Sequence, residues 1–118
     1  MNDKKFTWFK IADTENELAF TGNNLLIVEV NKKRITLAKH NGELFACAYF
    51  CPHASGILVD GYIDAIGNIV CPVHCYRFNL LNGRNVSGEG YYLKTYPVKS
   101  SEEGVFVGFE EKEIPDFL

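Results

Sequence analysis

Two short groups of metal-ligating side chains constrain this chain more than anything else in it. Cys51-Pro52-His53 sets one thiol and one imidazole side by side, and Cys71-Pro72-Val73-His74 does the same 17 residues after His53. A lone histidine is usually a surface residue and a lone cysteine a small buried hydrophobe. Four such residues in two matched pairs fit neither description. The chain has four cysteines (Cys47, Cys51, Cys71, Cys75) and three histidines (His40, His53, His74). In a secreted chain an even cysteine count would suggest disulfides. Here Met1-Asn2-Asp3-Lys4-Lys5-Phe6-Thr7-Trp8 leads into charged and polar residues rather than an apolar signal core. The expected address is therefore cytoplasmic, where cysteines serve metal or redox chemistry more often than disulfides.

The rest of the sequence reads as a β scaffold for two loops. Strands are expected over Phe6 to Ile11, Leu25 to Val30, Arg34 to Lys39, Glu43 to Tyr49, Asn68 to Val70, Arg77 to Leu81, Tyr92 to Lys99 and Val105 to Phe109. Asn31-Lys32-Lys33 is a polar turn, and Asn41-Gly42 is a strong short hairpin signal. Asp60-Gly61, Gly67-Asn68 and Asn82-Gly83 are further turn dipeptides, and Ser100 to Gly104 reads as a hairpin loop. Only Asp13 to Ala19 offers as much as one helical turn. Eight or nine short strands with turns at this spacing predict an all-β, antiparallel sandwich or barrel. The strand from Glu43 delivers the first Cys/His pair and the strand from Asn68 the second. Pro52 and Pro72 stiffen the two loops, and Gly56 allows a turn after the first pair.

Size and charge narrow the function. The 118 residues suit one domain over 1–118. A net charge of −3 argues against a nucleic-acid binder, and no stretch is long and apolar enough for a membrane span. A small chain with this charge suits a monomer. The acidic end, Glu110, Glu111, Glu113 and Asp116, reads as a solvated edge or a docking surface for a basic partner. Two Cys and two His can hold zinc in a tetrahedron, although zinc sites of this composition usually place both sulfurs before both nitrogens. One sulfur and one nitrogen per loop suits two metals better than one.

The motif C-P-H…C-P-V-H resembles the Rieske-type [2Fe–2S] signature. The resemblance is sharpest over residues 47–83. There Leu58-Val59-Asp60-Gly61-Tyr62-Ile63 precedes the second pair, and Cys71-Pro72-Val73-His74-Cys75-Tyr76-Arg77-Phe78-Asn79-Leu80 is followed by Asn82-Gly83. The resemblance implies a Rieske-type iron–sulfur protein fold, with a small cluster-binding subdomain of two loops over about 47–83. It also implies one [2Fe–2S] cluster per chain, with Cys51 and Cys71 on the inner iron and His53 and His74 on the outer, redox-active iron. High-potential members carry a disulfide between the loops. The matching positions here are Gly56 and Val73, so that bridge is absent. They also carry hydroxyl donors where this chain has Tyr76 and Phe78. The midpoint is therefore expected near the bottom of the Rieske range, roughly −150 mV.

By the same resemblance the chain is an electron carrier and not an enzyme. It would relay single electrons from a reductase to a terminal oxygenase or a similar acceptor. An oxygenase needs a mononuclear iron held by two His and a carboxylate, and only His40, expected to be solvent-exposed beside its turn, is left over. No G-x-G-x-x-G supports a dinucleotide site. The competing readings are a small subunit of an assimilatory nitrite reductase, a zinc-stabilised interaction module, and a redox sensor using Cys75. Cys47 reads as a structural strand residue.

Overall fold

The computed structural model describes residues 5–52, 55–73, 75–88 and 90–111. Among these residues there is no α-helix; ten strands form three antiparallel sheets. The strands are β1 (Phe6–Ala12), β2 (Leu25–Val30), β3 (Lys33–His40), β4 (Glu43–Ala48), β5 (Tyr62–Ile63), β6 (Asn68–Val70), β7 (Arg77–Asn79), β8 (Thr95–Tyr96), β9 (Val98–Ser101) and β10 (Gly104–Glu110). Their sheet orders are β1-β10-β9, β2-β3-β4-β8 and β5-β6-β7.

The four-stranded sheet lies between two cores. β3 is buried along Ile35 to Ala38 because each of its faces packs against something. Ile35 and Leu37 join Val30, Ala46, Tyr96, Val107 and Phe109 in one apolar cluster. Ala38 joins Leu25, Cys47, Leu58, Ile69, Phe78 and the two cysteines Cys51 and Cys71 in the other. Alternation along a strand sends neighbouring side chains to opposite faces, so one strand feeds both cores. The hairpins that set this register are tight. Asn31 and Lys32 (φ 50° and 67°) join β2 to β3, and Asn41 and Gly42 (φ 51° and 80°) join β3 to β4. Positive φ at both central residues matches the twist of the flanking strands.

Several expected boundaries shift for identifiable reasons. Tyr92 to Lys99 is not one strand. Pro97 lacks an N–H for the ladder, and the chain changes sheets there, from β8 beside β4 to β9 beside β10. The expected loop at Ser100 is shorter than its composition suggests, because Ser101 pairs with Gly104 across a two-residue turn. The strand from Arg77 ends at Asn79, whose carboxamide oxygen accepts the N–H groups of Leu81 and Asn82 and starts a turn. The helical turn after Asp13 is a single 3-10 turn, Glu15–Glu17.

The small sheet buries Ile69, Val70 and Phe78, and polar staples add to that. Asp64, at the β5–β6 turn, accepts hydrogen bonds from the N–H groups of Ile66 and Asn68, from the Asn68 amide at 3.0 Å and from Arg77 Nη1 at 2.8 Å. Asn23, in the turn before β2, donates to the carbonyls of Val59 and Gly61 at 3.1 and 2.8 Å. That one side chain fixes the start of β5 to the large sheet.

Candidate metal centre

The two cysteine loops leave strands of different sheets and close with the same backbone hydrogen bonds. After β4 the chain runs through Tyr49 and Phe50 into Cys51, and an antiparallel bridge from Phe50 to Ile57 closes the loop. Within it the Cys51 N–H donates to the Gly56 carbonyl at 2.8 Å, and the Ser55 N–H donates to the Cys51 carbonyl at 3.0 Å. After β6 the Cys71 N–H donates to the Tyr76 carbonyl at 2.9 Å, and the Cys75 N–H donates to the Cys71 carbonyl at 3.0 Å. The fifth residue of each loop is left-handed: Ser55 has φ 56° and Cys75 φ 57°. Each cysteine thus sits at the head of the same turn, with its backbone groups already bonded inside the loop.

The loops meet at Gly56. A Cβ on Gly56 would lie 2.8 Å from Cys71 Sγ and 2.7 Å from a methyl of Val73. Gly56 is not among the glycines with positive φ. The glycine is therefore required by the close approach of the second loop, not by the turn that its sequence context suggested. Cys51 and Cys71 are 2% and 0% exposed, share one core and are in no disulfide. Two buried, unbridged thiols on facing twin loops are the donor chemistry that soft thiolate-bound metals select. His53 and His74 lie outside the described residues. Among the described residues no group of three or more His, Cys, Asp or Glu gathers into a metal site. The thiol half of the donor set fits the implied [2Fe–2S] group: buried, in no disulfide and presented on loops in contact.

A third segment flanks the second loop. Asn85 bridges Phe78, the Val86 N–H donates to the Arg77 carbonyl at 2.9 Å, and the Arg77 N–H donates to Ser87 Oγ at 2.8 Å. Residues 84–87 so run beside β7 towards the Cys71 loop. Phe50 at the base of the first loop and Val73 within the second are 50% and 53% exposed, an apolar rim at the cysteine turns.

The remaining cysteines and His40 divide as follows. Cys47 is buried in β4; burial pushes its thiol up to about 12 against a hydrogen bond from Thr36 that lowers it. It is structural, as its strand position suggested. Cys75 is exposed. His40 is half-buried rather than solvated: it ends β3, lies under Gly67 of the small sheet, and its Nε2 is 3.3 Å from the Asn41 amide. Burial pushes the Asp64 carboxyl up, but the hydrogen bonds from Asn68, Arg77 and Ile66 outweigh it and hold the group below the usual carboxylate range.

The Rieske [2Fe-2S] domain family matches residues 7–97. The ferredoxin component of the alkene monooxygenase system of Xanthobacter autotrophicus is 29% identical over 84 residues, covering 71% of this chain and 69% of that protein. Among solved structures, the ferredoxin of carbazole 1,9a-dioxygenase from Nocardioides aromaticivorans superimposes with a TM-score of 0.72 at 21% identity, over 86% of this chain and 96% of its own. A protein described as an NADH-dependent nitrite reductase small subunit from Mycobacterium tuberculosis superimposes with a TM-score of 0.75 at 17% identity, over 89% and 96%. At these identities the two superpositions speak for the antiparallel fold. No helix among the described residues is long and apolar enough to cross a membrane.

Proposed function

The chain belongs to the Rieske [2Fe-2S] domain family, and from that membership we propose that it is a one-electron carrier, the ferredoxin component of an oxygenase system. It takes electrons from a reductase and delivers them to a terminal oxygenase or similar acceptor. We assign Cys51 and Cys71 as ligands of the inner iron, and His53 and His74 as ligands of the outer iron, of one [2Fe–2S] cluster. The observation that supports the assignment is the matching backbone hydrogen bonds of the two cysteine turns and their contact at Gly56. Bound there, the cluster stores and releases one electron. The chain's own part is to bury the thiolates away from water, to hold them with loops whose backbone groups are already bonded, and to leave the Phe50 and Val73 rim for a partner to cover. Covering such a rim shortens the path for the electron and excludes water from it. We further propose that 1–118 is one domain, with residues of about 47–83 forming its cluster-binding part, and that it works as a monomer in the cytoplasm.

A nitrite reductase small subunit is the second reading, favoured by the superposition on such a protein. The carrier is preferred because several sequence relatives are ferredoxin components of oxygenase systems. Visible absorbance and low-temperature EPR of dithionite-reduced, freshly purified protein test the assignment. A red-brown sample with the rhombic signal of mixed His/Cys ligation is expected. A colourless, EPR-silent sample containing zinc, a d¹⁰ ion, would replace the carrier with an interaction module.

A further inference from the structure

We propose that residues 112–118, which follow the described part of the chain, dock in a groove on its surface and strap the end of β10 to the wall beside the cysteine core. The groove has a volume of about 790 Å³ and opens to solvent. Phe6, Gly108 and Glu110 line one part of it, and Leu44, Leu81 and Tyr92 another. Leu81 and Tyr92 are 76% and 67% exposed, among the most exposed large apolar side chains described. Their exposure is built in and is not the mark of a loose loop. The Leu81 N–H donates to Asn79 Oδ1 at 2.8 Å, the Leu93 N–H donates to the Gly83 carbonyl at 2.8 Å, and Arg84 bridges Tyr92. Gly83 (φ 77°) lies so close to the Leu93 carbonyl that a Cβ would not fit. A rigid wall that holds a leucine and a tyrosine out to water gains when something covers it.

The occupant is already attached. β10 ends at Glu110, in the lining of the groove, and the Glu111 N–H donates to the Lys5 carbonyl at 3.0 Å, so the chain leaves the sheet at the groove itself. Seven residues follow, Lys112-Glu113-Ile114-Pro115-Asp116-Phe117-Leu118. Extended, they reach roughly 23 Å, in a molecule whose extents are 35 × 32 × 28 Å. Ile114, Phe117 and Leu118 are large and apolar, a composition that a segment kept in water does not need. Pro115 narrows the backbone freedom that docking must remove. Charges are mixed on both sides, Glu43 and Glu110 with Lys94 in the groove and Glu113 and Asp116 with Lys112 in the segment, so apolar contact decides the fit. A tethered segment also competes at an effective concentration on the order of millimolar, which a second copy or a partner protein must supply from solution. Leu80 and Leu93, beside the exposed pair, belong to the core that holds Cys51 and Cys71. The docked segment thus joins the scaffold to the cysteine side. It also covers an apolar surface that would compete with the Phe50 and Val73 rim for partners. That second consequence rests on the carrier reading, and the docking does not.

The test uses the full chain and reads each side of the contact. Trypsin cleavage after Lys112, followed by mass spectrometry of the released 113–118 peptide, reports the segment. Leu81→Asp, at an exposed position, is expected to raise that cleavage rate about tenfold or more, the factor that loss of one buried apolar side chain gives. Hydrogen exchange reports the groove. Phe117→Asp is expected to speed deuterium uptake at residues 80–84 and 91–94 and to leave β3 unchanged. Should Leu81→Asp not fold, Tyr92→Ser probes the same wall. If either effect is missing, the proposal is overturned and the groove is left to a partner protein. Both effects must appear in protein that sediments as a single chain. A dimer that Leu81→Asp dissolves overturns the proposal in favour of a second copy. Neither readout uses the colour of the cluster, so a colourless protein sinks the carrier assignment without touching the strap.

Discussion

The two sides of the four-stranded sheet are built differently. On one side, long strands bury continuous hydrocarbon: Ile35, Leu37, Val107, Phe109 and the ring of Tyr96, which packs 4.9 Å from that of Phe109. On the other side, strands of two and three residues carry the Cys71 loop, and polar contacts supplement their buried Ile69, Val70 and Phe78. A short strand contributes few ladder bonds and little area. Asp64, Asn23 and Ser87 add there to burial what strand length adds on the opposite face. The scaffold should therefore fold as a cooperative unit, with the small sheet opening locally before it.

The hardest way to break that comparison is to damage the scaffold. Leu37→Ala removes a fully buried side chain and is expected to cost about 2–5 kcal/mol. Denaturant unfolding followed by far-UV circular dichroism should show one destabilised transition. Next comes removal of a ligand. Cys51→Ser should abolish cluster colour almost completely, because metal binding is coupled to loop order, yet leave the strand spectrum intact. Global unfolding of that variant would mean that the scaffold depends on the metal, and the contrast between the two sides would fall.

Gly56→Ala is a subtler probe of the loops alone. Its methyl would meet Cys71 Sγ and Val73, and pushing the loops apart should lower the iron and sulfide content per chain while changing thermal stability by only about 1 kcal/mol. Full occupancy would show that the loops are not in contact in the loaded protein. Asp64→Asn should weaken the small sheet by about 1 kcal/mol. The sign with pH is fixed by the depressed carboxyl. Its stabilisation is present above the ordinary value of 3.8 and is lost as pH falls through the lower folded value. The protection factors of the β6 and β7 amides, corrected for the intrinsic exchange rate, should fall in acid for the wild type, and the variant should be less protected already at neutral pH.

The scaffold was legible because long strands announce themselves. Phe6, Leu25, Arg34 and Val105 begin runs of β-forming residues, and Asn41-Gly42 is a hairpin signal with one physical meaning. The two Cys/His pairs were legible as spacing. What the sequence hides depends on side chains meeting in space. β5 is two residues, Tyr62–Ile63, too short to show any period. The twin turns place Ser55 and Cys75 in a left-handed conformation that would ordinarily be filled by glycine or asparagine, so their composition gives no sign of it. The role of Asp64 was visible only in part. An aspartate followed by Gly67-Asn68 marks a turn, but its bond to Arg77 crosses to another strand. Asn85 looks like one more polar loop residue until its bridge to Phe78 shows that it faces a core.

An effect confined to alkaline pH distinguishes the two kinds of cysteine. Cys47 pairs across the sheet with Thr36 in the seam between β3 and β4, and burial holds its proton up to a value of about 12, against an ordinary 9.0. Between those values the unfolded chain ionises and the folded chain does not, so the group's stabilisation is complete below pH 9.0 and falls as pH rises. At pH 10 the loss should be about 1.4 kcal/mol, one pH unit beyond the unfolded value. Other groups titrate in that range, so the readout is the difference between wild type and Cys47→Ala. The variant should be less stable at pH 8 through lost packing, and its deficit should shrink by about that amount at pH 10. A thiol reagent at pH 8 should meanwhile modify the exposed Cys75 and leave Cys47 untouched in the folded protein. A deficit that stays constant with pH would mean that Cys47 ionises as readily as it does in the unfolded chain. The seam between the large sheet and the cysteine loops would then be wetter than the buried row Thr36, Ala38 and Cys47 implies.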